Sequence, residues 1–361
     1  MKARLINTQR AIELLRPIYD AQWQHILLSK VLAMDETPIK AGKAGRGNLK
    51  ATWYWPVYGE EDEICFTWSN SRGKDHVIQQ LGDFEGTLLT DGYAAYDAYA
   101  KARPQVRQAQ CWAHTRRYFE RAQDNDPAAN EALDLIGALY QAEARIRDKG
   151  FDDQAKLDYR SCHALPIVDA FFGWCYQQRQ RLDLVNSSPL AKALVYADNH
   201  QAQLRVYLGD PHVPIDTNHV ERALRVIPMG RKNWLFCWSE IGAKHVGIIQ
   251  SLLTTCRLHQ VDPYTYLVDV LQRISRHAML NNLHHGVGKP CLPENPCARI
   301  LTVSIDIDGL SYEELLNLNH RVVERLKMLE AMQAHVDMMA FNLGARVSFD
   351  SQHGRQLGTL V

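Results

Sequence analysis

Three carboxylates stand in short, distinctive contexts: Asp35 in VLAMDETP, Asp91 in TLLTDGYAAY and Glu221 in DTNHVERALR. Magnesium takes hard oxygen ligands in octahedral geometry and keeps several waters. Two such ions roughly 3.5–4 Å apart clamp the attacking and leaving oxygens of an in-line displacement at phosphorus. Acids converging from distant segments can build that clamp, so the chemistry to test for is phosphoryl transfer with two magnesium or manganese ions. Asp35 ends the apolar run Val31–Met34, and Asp91 ends Thr87–Thr90. Each run reads as a buried strand. An acid at such a strand end faces a sheet-edge crevice, where α/β proteins place their sites. Glu221 reads as a residue in the first turns of a helix, which Asp216 or Thr217 caps and which Val220, Leu224 and Ile227 continue. Singly, each acid has a plainer explanation: Asp35 and Asp91 cap turns, and Glu221 pairs with Arg225 at i, i+4. Strand acid, strand acid and helix acid in that order favour a metal site.

The segments MDETPIK, LLTDGYAAY, QCWAHTRRYF and the long run from Asp216 through Leu271 carry a family resemblance. Together they make residues 4–275 resemble an insertion-sequence transposase of the IS66 family, a DDE-type enzyme with an RNase H-like fold. The resemblance implies that Asp35, Asp91 and Glu221 bind the metal ions and catalyse cutting and joining of double-stranded DNA at element ends. It implies a homo-oligomer, because two ends must be brought together, and allows accessory proteins from the same element. Related full-length proteins carry an N-terminal DNA-recognition part that is not seen ahead of Asp35. Beyond about residue 276 the resemblance fades into what reads as an unrelated tail. A truncated, non-cleaving DNA-binding regulator or an inactive remnant is therefore the alternative.

The elements that must position these acids can be read in outline. The pattern predicts an α/β fold: a mixed sheet with flanking helices over 31–111 and 209–275, an all-helical insertion over 112–208, and a helical C-terminal tail. Residues 5–30 read as an amphipathic helix that Pro17 breaks or kinks. A mobile loop is expected through Gly42, Gly45 and Gly47. Thr52–Trp55 and Ile64–Trp68 read as paired strands. Helices near 74–81 and 93–102 and a strand near 105–111 follow. The stretch between Asp91 and Glu221 is far longer than one βαβ step needs. Its apolar stripes at Ala132–Tyr140, Phe171–Cys175 and Leu190–Tyr196 argue for helices. This insertion either shapes a DNA channel or partner surface, or only buttresses the core. Residues 240–258 and 263–275 read as closing helices.

Cys111-Trp112-Ala113-His114 lacks the second ligand pair a zinc site needs. Trp112 is expected in the core, Cys111 in support, and His114 near the site or DNA. Asn218, three residues before Glu221, shares its helix face and can orient the carboxylate.

Charge is balanced, with 41 basic and 41 acidic residues. DNA-holding proteins usually carry excess positive charge. Here the cations are local: Lys43, Arg46 and Lys50 after Asp35, Arg116 and Arg117 after Cys111, and Arg222, Arg225, Arg231 and Lys232 around Glu221, with Asn233 beside them. They are either phosphate contacts or solvated faces. Hydrophobic content of 46% and charge of 23% are ordinary for a globular chain. No signal peptide or membrane span is visible, and eight scattered cysteines suggest no disulfide framework. A cytoplasmic, nucleoid-associated protein is the expectation. Residues 276–310, with their prolines and His284, His285, Cys291 and Cys297, read as a linker rather than a metal knot. From Ser311 an apolar three–four repeat suggests a short coiled coil or a helix packed on its own domain. Two short strands near 346–349 and 357–361 close the chain.

Overall fold

The computed structural model describes residues 2–45, 48–235, 237, 239–273, 346–351 and 354–359. The first unit is built on a six-stranded mixed sheet. Its strands are β1 (Val31–Met34), β2 (Thr37–Gly45), β3 (Asn48–Tyr58), β4 (Ile64–Ser69), β5 (Gly86–Thr90) and β6 (Val106–Gln110). The order is β4-β3-β1-β5-β6, with β2 sharing the β1 side of β3. β1, β5 and β6 run parallel, and β3 is antiparallel to β1, β2 and β4. This is an RNase H-like arrangement.

All four residues of β1 are buried, because both faces of the sheet are covered. Strand alternation sorts them. Val31 and Ala33 face a core shared with Leu89, Tyr54 and Phe66 and with the helices that follow β6. Leu32 and Met34 face a second core with Leu88, Trp55, Val77, Tyr96 and Tyr99, under α2 (Lys74–Leu81) and α3 (Ala94–Lys101).

Two expectations near the N-terminus need correction. Helix α1 (Lys2–Ile26) continues through Pro17, so the chain does not break there. A proline there removes one amide donor, but burial of Leu15 and Ile26 anchors the helix on either side. The segment read as a mobile loop is largely strand β2, paired along β3 with register shifts at Ala41, Lys43 and Gly45. Its run of lysine, alanine and glycine carries little β propensity, and ladder bonds to aromatic-rich β3 supply what the side chains do not.

The edge strand β4 is sealed by a helix, α12 (Glu240–Leu258). Ser251 Oγ accepts from the Phe66 amide at 2.8 Å, and Thr255 Oγ1 accepts from the Ile64 amide at 3.2 Å. Gly247 permits this approach, since a Cβ there would lie 2.6 Å from the Phe66 carbonyl. Unpaired edge groups are thereby satisfied inside the fold. Helix α13 (Pro263–Arg273) follows α12.

Between β6 and the Glu221 helix the chain is helical, as the stripes predicted. It forms α4 (Trp112–Glu120), α5 (Ala129–Lys149), α6 (Asp153–Tyr159), a π-helical turn Arg160–Ala164, α7 (Leu165–Arg179), α8 (Pro189–Asn199), the short α9 (Gln201–Leu204) and a 3-10 turn Val206–Gly209. Ile136, Leu139, Phe171, Leu190 and Leu194 join the sheet's own residues in one core. Then come α10 (Asn218–Leu224) and α11 (Val226–Trp234). No helix among the described residues is long and apolar enough to cross a membrane.

Residues 290–361 form a separate unit, described only as the antiparallel hairpin of β7 (Arg346–Ser351) and β8 (Gly354–Thr359). The expected linker at 276–310, its histidines and cysteines, and the amphipathic helix after Ser311 lie outside the described residues.

Arg160 pins the return path toward α10. Its guanidinium is buried, forks onto Glu143 at 2.8 Å, and donates to the carbonyls of Tyr207, Asp210 and Val213. Removing one partner of a buried pair strands the other. Arg160→Ala should cost about 3–5 kcal/mol of folding stability, read as a lower denaturation midpoint. A midpoint unchanged from the parent would contradict this role.

Candidate active site

The parallel register of β1 and β5 pairs Val31 with Thr87, Leu32 with Leu88 and Ala33 with Leu89. Extending it two residues sets Asp35 level with Asp91, at the same C-terminal edge of two adjacent strands. Each acid is fixed by a local bond: Asp35 Oδ1 accepts from the Glu36 amide at 2.7 Å, and Asp91 Oδ1 from the Tyr93 amide at 2.9 Å. The turn after Asp91 needs Gly92. Its φ is +80°, and a Cβ there would lie 2.7 Å from Gln110 Nε2 and 2.8 Å from His200 Nε2.

Glu221 reaches this edge because the chain is tied where it leaves and re-enters the sheet. Cys111 donates its amide to the Thr90 carbonyl at 3.0 Å, which fixes it beside the strand bearing Asp91. Its buried sulfur accepts from the Thr217 amide and hydroxyl, both at 3.3 Å. Trp112 donates its amide to Ile215 O at 3.1 Å and its indole N–H to Leu204 O at 2.9 Å. These bonds bring the start of α10 against the start of α4. His219 on α10 also packs edge-on against Tyr58 of β3, with ring centroids 4.8 Å apart. Burial pushes the Cys111 thiol up to about 11, which suits a structural sulfur.

Electrostatics at the edge are dominated by crowded negative charge. Burial, with Asp91, Glu36 and Glu221 nearby, raises the Asp35 carboxyl to about 7. Glu36 is the site residue the sequence reading missed. Its side chain is only 4% exposed. Burial and Asp91 raise its pKa against the opposing pull of Arg72. Arg72 forks onto Glu36, and the Tyr96 hydroxyl donates to it at 3.0 Å. Arg72 also lies 4.1 Å over the Tyr93 ring. The signal was present in the acid pair Asp35-Glu36 and in the tyrosines of DGYAAY. Tyr196 was read as part of an apolar stripe. Its hydroxyl instead donates to the Asp91 carbonyl at 2.6 Å, so the helical insertion touches the acid-bearing backbone.

Glu221 is held differently from its expected partners. It does not pair with Arg225. Arg117 Nη2 donates to both of its oxygens, at 2.6 and 2.5 Å. Arg117 Nη1 lies 3.0 Å from His114 Nε2, and that nitrogen is 3.7 Å from Glu221. Burial lowers the His114 pKa, and its Nδ1 is buried without a hydrogen-bond partner. Asn218, expected to orient Glu221, turns its amide to Asp216 at 2.6 Å instead. A helix neighbour at i+3 loses here to the cap acid two residues back.

The remaining cations divide into engaged and exposed. Lys50 pairs with Glu240 at 3.2 Å, Arg116 with Glu120 at 2.8 Å, and Arg231 donates to the Pro38 carbonyl at 2.8 Å. Arg222, Arg225, Lys232 and Asn233 are exposed. Lys43 lies on β2, and Arg46 is outside the described residues.

The donor set suits a hard divalent cation at the two aspartates. Asp35 is a half-buried carboxylate with no ion-pair partner among the described residues, and Asp91, Glu36 and Glu221 crowd it with negative charge. Glu221 carries the right chemistry but is occupied by Arg117. The three acids are not among the tightly converged groups. Among the described residues, His25, Glu61 and Glu63 form the one set whose ligand atoms all lie within 4.8 Å. That set comes from the end of α1 and the turn between β3 and β4, where the His25 ring is 2.8 Å from Glu63.

An RNase H-like sheet with aligned aspartates just past the ends of β1 and β5 and a glutamate on a returning helix defines a fold class shared by nucleases and DNA-strand transferases. The model of the family described as "Transposase IS66 family" matches residues 5–245, and that of the "IS66 C-terminal element" matches 251–285. This chain belongs to the IS66 transposase family. The second match carries the family likeness past residue 276, where it was expected to fade. Two curated relatives come from Sinorhizobium fredii. The uncharacterized protein y4qI is 31% identical over 67% of this chain and 47% of its own length. The uncharacterized protein y4jD is 29% identical over 72% of this chain and 53% of its own length. The chain thus spans about half the length of the curated relatives it matches.

Folded Asp35 binds its proton more tightly than an unfolded aspartate does. Its contribution to stability is therefore present at low pH and is lost as pH rises from the ordinary carboxylate range through about 7. Asp35→Asn should raise the melting temperature of the cation-free protein at pH 8 and change it little at pH 4. Calorimetric scans at both values check this; an equal shift at both would contradict the buried charge.

Proposed function

We propose that this chain is the catalytic core of a DDE transposase that cleaves phosphodiester bonds at insertion-sequence ends and transfers the freed strand to target DNA. The observation that carries the reading is the pair of register-matched aspartates, one of them a half-buried carboxylate with no ion pair among the described residues and a pKa raised by desolvation and neighbouring acids. Asp35 and Asp91 would hold one magnesium or manganese ion, and Asp35 and Glu221 the other. The chemistry such ions supply is stabilisation of charge on the attacking and leaving oxygens.

The chain's own residues supply position. The register of β1 and β5 sets the spacing of the aspartates, and Cys111, Trp112 and Thr217 set the approach of α10. Glu36, fixed by Arg72 and Tyr96, supports the loop after Asp35. Exposed Arg222, Arg225, Lys232 and Asn233 are the side chains offered to DNA phosphates, which reward cations near the scissile bond. Lys50, Arg116 and Arg231 already have intramolecular partners and are weaker candidates. Two element ends must meet, so the working form is a homo-oligomer acting on chromosomal DNA in the cytoplasm, with accessory proteins of the element as further partners.

A non-cleaving regulator is favoured by one observation, the ion pair that closes Glu221. The two readings separate in a strand-cleavage assay with magnesium or manganese and element-end DNA. Asp35→Asn, Asp91→Asn and Glu221→Gln should each lower the cleavage rate by at least about a hundredfold, equivalent to about 2.7 kcal/mol of transition-state stabilisation. Salt-sensitive DNA binding should persist in all three. Binding without cleavage in the parent would establish the regulator, and undiminished cleavage by all three variants would remove the triad.

A further inference from the structure

The four acids at the sheet edge have two cations among them. Arg72 serves Glu36, and Arg117 serves Glu221. Neither Asp35 nor Asp91 has an ion-pair partner among the described residues, and the charges of Arg117 and Arg72 reach them only from farther off. Arg117 is placed as a cation would be. One of its nitrogens touches both oxygens of Glu221, at 2.6 and 2.5 Å, and another lies 3.0 Å from His114 Nε2. The same guanidinium thus covers two acceptors that face the acids. Its backbone is not free to move, because α4 is bonded at Cys111 and Trp112 to the chain entering α10. Its side chain is 38% exposed, against 26% for Glu221, so water borders the guanidinium and can receive it when it is displaced.

We propose that Arg117 is a built-in competitor for the divalent cation at Glu221. It supplies the counter-charge in the cation-free protein, and a cation takes Glu221 as a ligand only by displacing it. This rests on the reading of Asp35, Asp91 and Glu221 as cation ligands. The physical basis is competition for charge and position: a carboxylate whose two oxygens both contact a guanidinium is already paired, and a hard cation must offset that pairing and bring its own charge against the nearby arginine. The cation brings the larger charge, so it wins once anchored at Asp35 and Asp91. The cost of evicting Arg117 sets the concentration at which it does so.

Manganese titration calorimetry on the full chain tests this, with thermal melts of the cation-free proteins beside it. Arg117→Gln should bind manganese at least about ten-fold more tightly than the parent, equivalent to about 1.4 kcal/mol, while its cation-free melting temperature falls. Arg117→Lys keeps the charge but loses the two-oxygen contact, and should fall between the two. In a Glu221→Gln background, Arg117→Gln should leave manganese affinity unchanged, because the competition has no object there. A residue that only buttresses α4 would lower stability and weaken manganese binding together. Unchanged or weaker binding by Arg117→Gln and Arg117→Lys, with binding still abolished by Asp35→Asn, would overturn the competitor role and leave the cation site standing. If Asp35→Asn binds manganese as the parent does, the cation site itself fails and the competitor role fails with it.

Discussion

The fold is arranged around one electrostatic conflict: carboxylates that repel one another are held together at the end of a buried parallel pair. The β1–β5 register sets Asp35 level with Asp91, and partial burial denies Asp35 much of the water that would screen it. Charges so placed cost free energy unless something positive joins them. Nearly every other feature of the edge answers that demand. Arg72 neutralises Glu36, and Arg117 neutralises Glu221. Tyr96 donates to the cluster, and Tyr196 holds its backbone. Asp35 keeps a raised pKa with no ion pair among the described residues, which is the observation that the proposed cation site rests on.

The helical insertion belongs to this arrangement. It shares the core on one face of the sheet, and the chain entering it at Cys111 and Trp112 is bonded to the chain that follows it at Ile215 and Thr217. A long excursion between Asp91 and Glu221 is harmless to the site only if both of its ends are fixed at the sheet. The buried Arg160 tightens the same joint by gathering three carbonyls of the returning segment. The fold thus carries Glu221 on a helix whose footing is set by the strand beside Asp91.

Much of this was legible in the residues. The apolar runs ending at Asp35 and Asp91 announced buried strands, and the acids at their ends announced the edge. The stripes around Ile136, Phe171 and Leu194 announced helices. What failed were features set by partners distant in sequence. β2 was hidden because Lys40-Ala41-Gly42-Lys43 takes its strand conformation from β3. Pro17 does not end α1, because packing on either side outweighs one lost hydrogen bond. The plainer alternative for Glu221, an ion pair with Arg225, fails because its partner, Arg117, comes from a different helix, α4. Asn218 was assigned to Glu221 by spacing alone, and Asp216 outcompetes it. Glu36 was overlooked beside a more conspicuous aspartate.

The most direct measurement is a crystal structure of the full chain grown with manganese, with anomalous scattering used to place the ions. The expected result is anomalous density about 2.1 Å from carboxylate oxygens of Asp35 and Asp91, with Glu221 turned toward it and the Arg117 guanidinium withdrawn. Manganese at His25, Glu61 and Glu63 alone, or an Arg117–Glu221 pair unchanged at saturating metal with nothing bound to Asp35, would contradict the assignment of this edge as the catalytic centre.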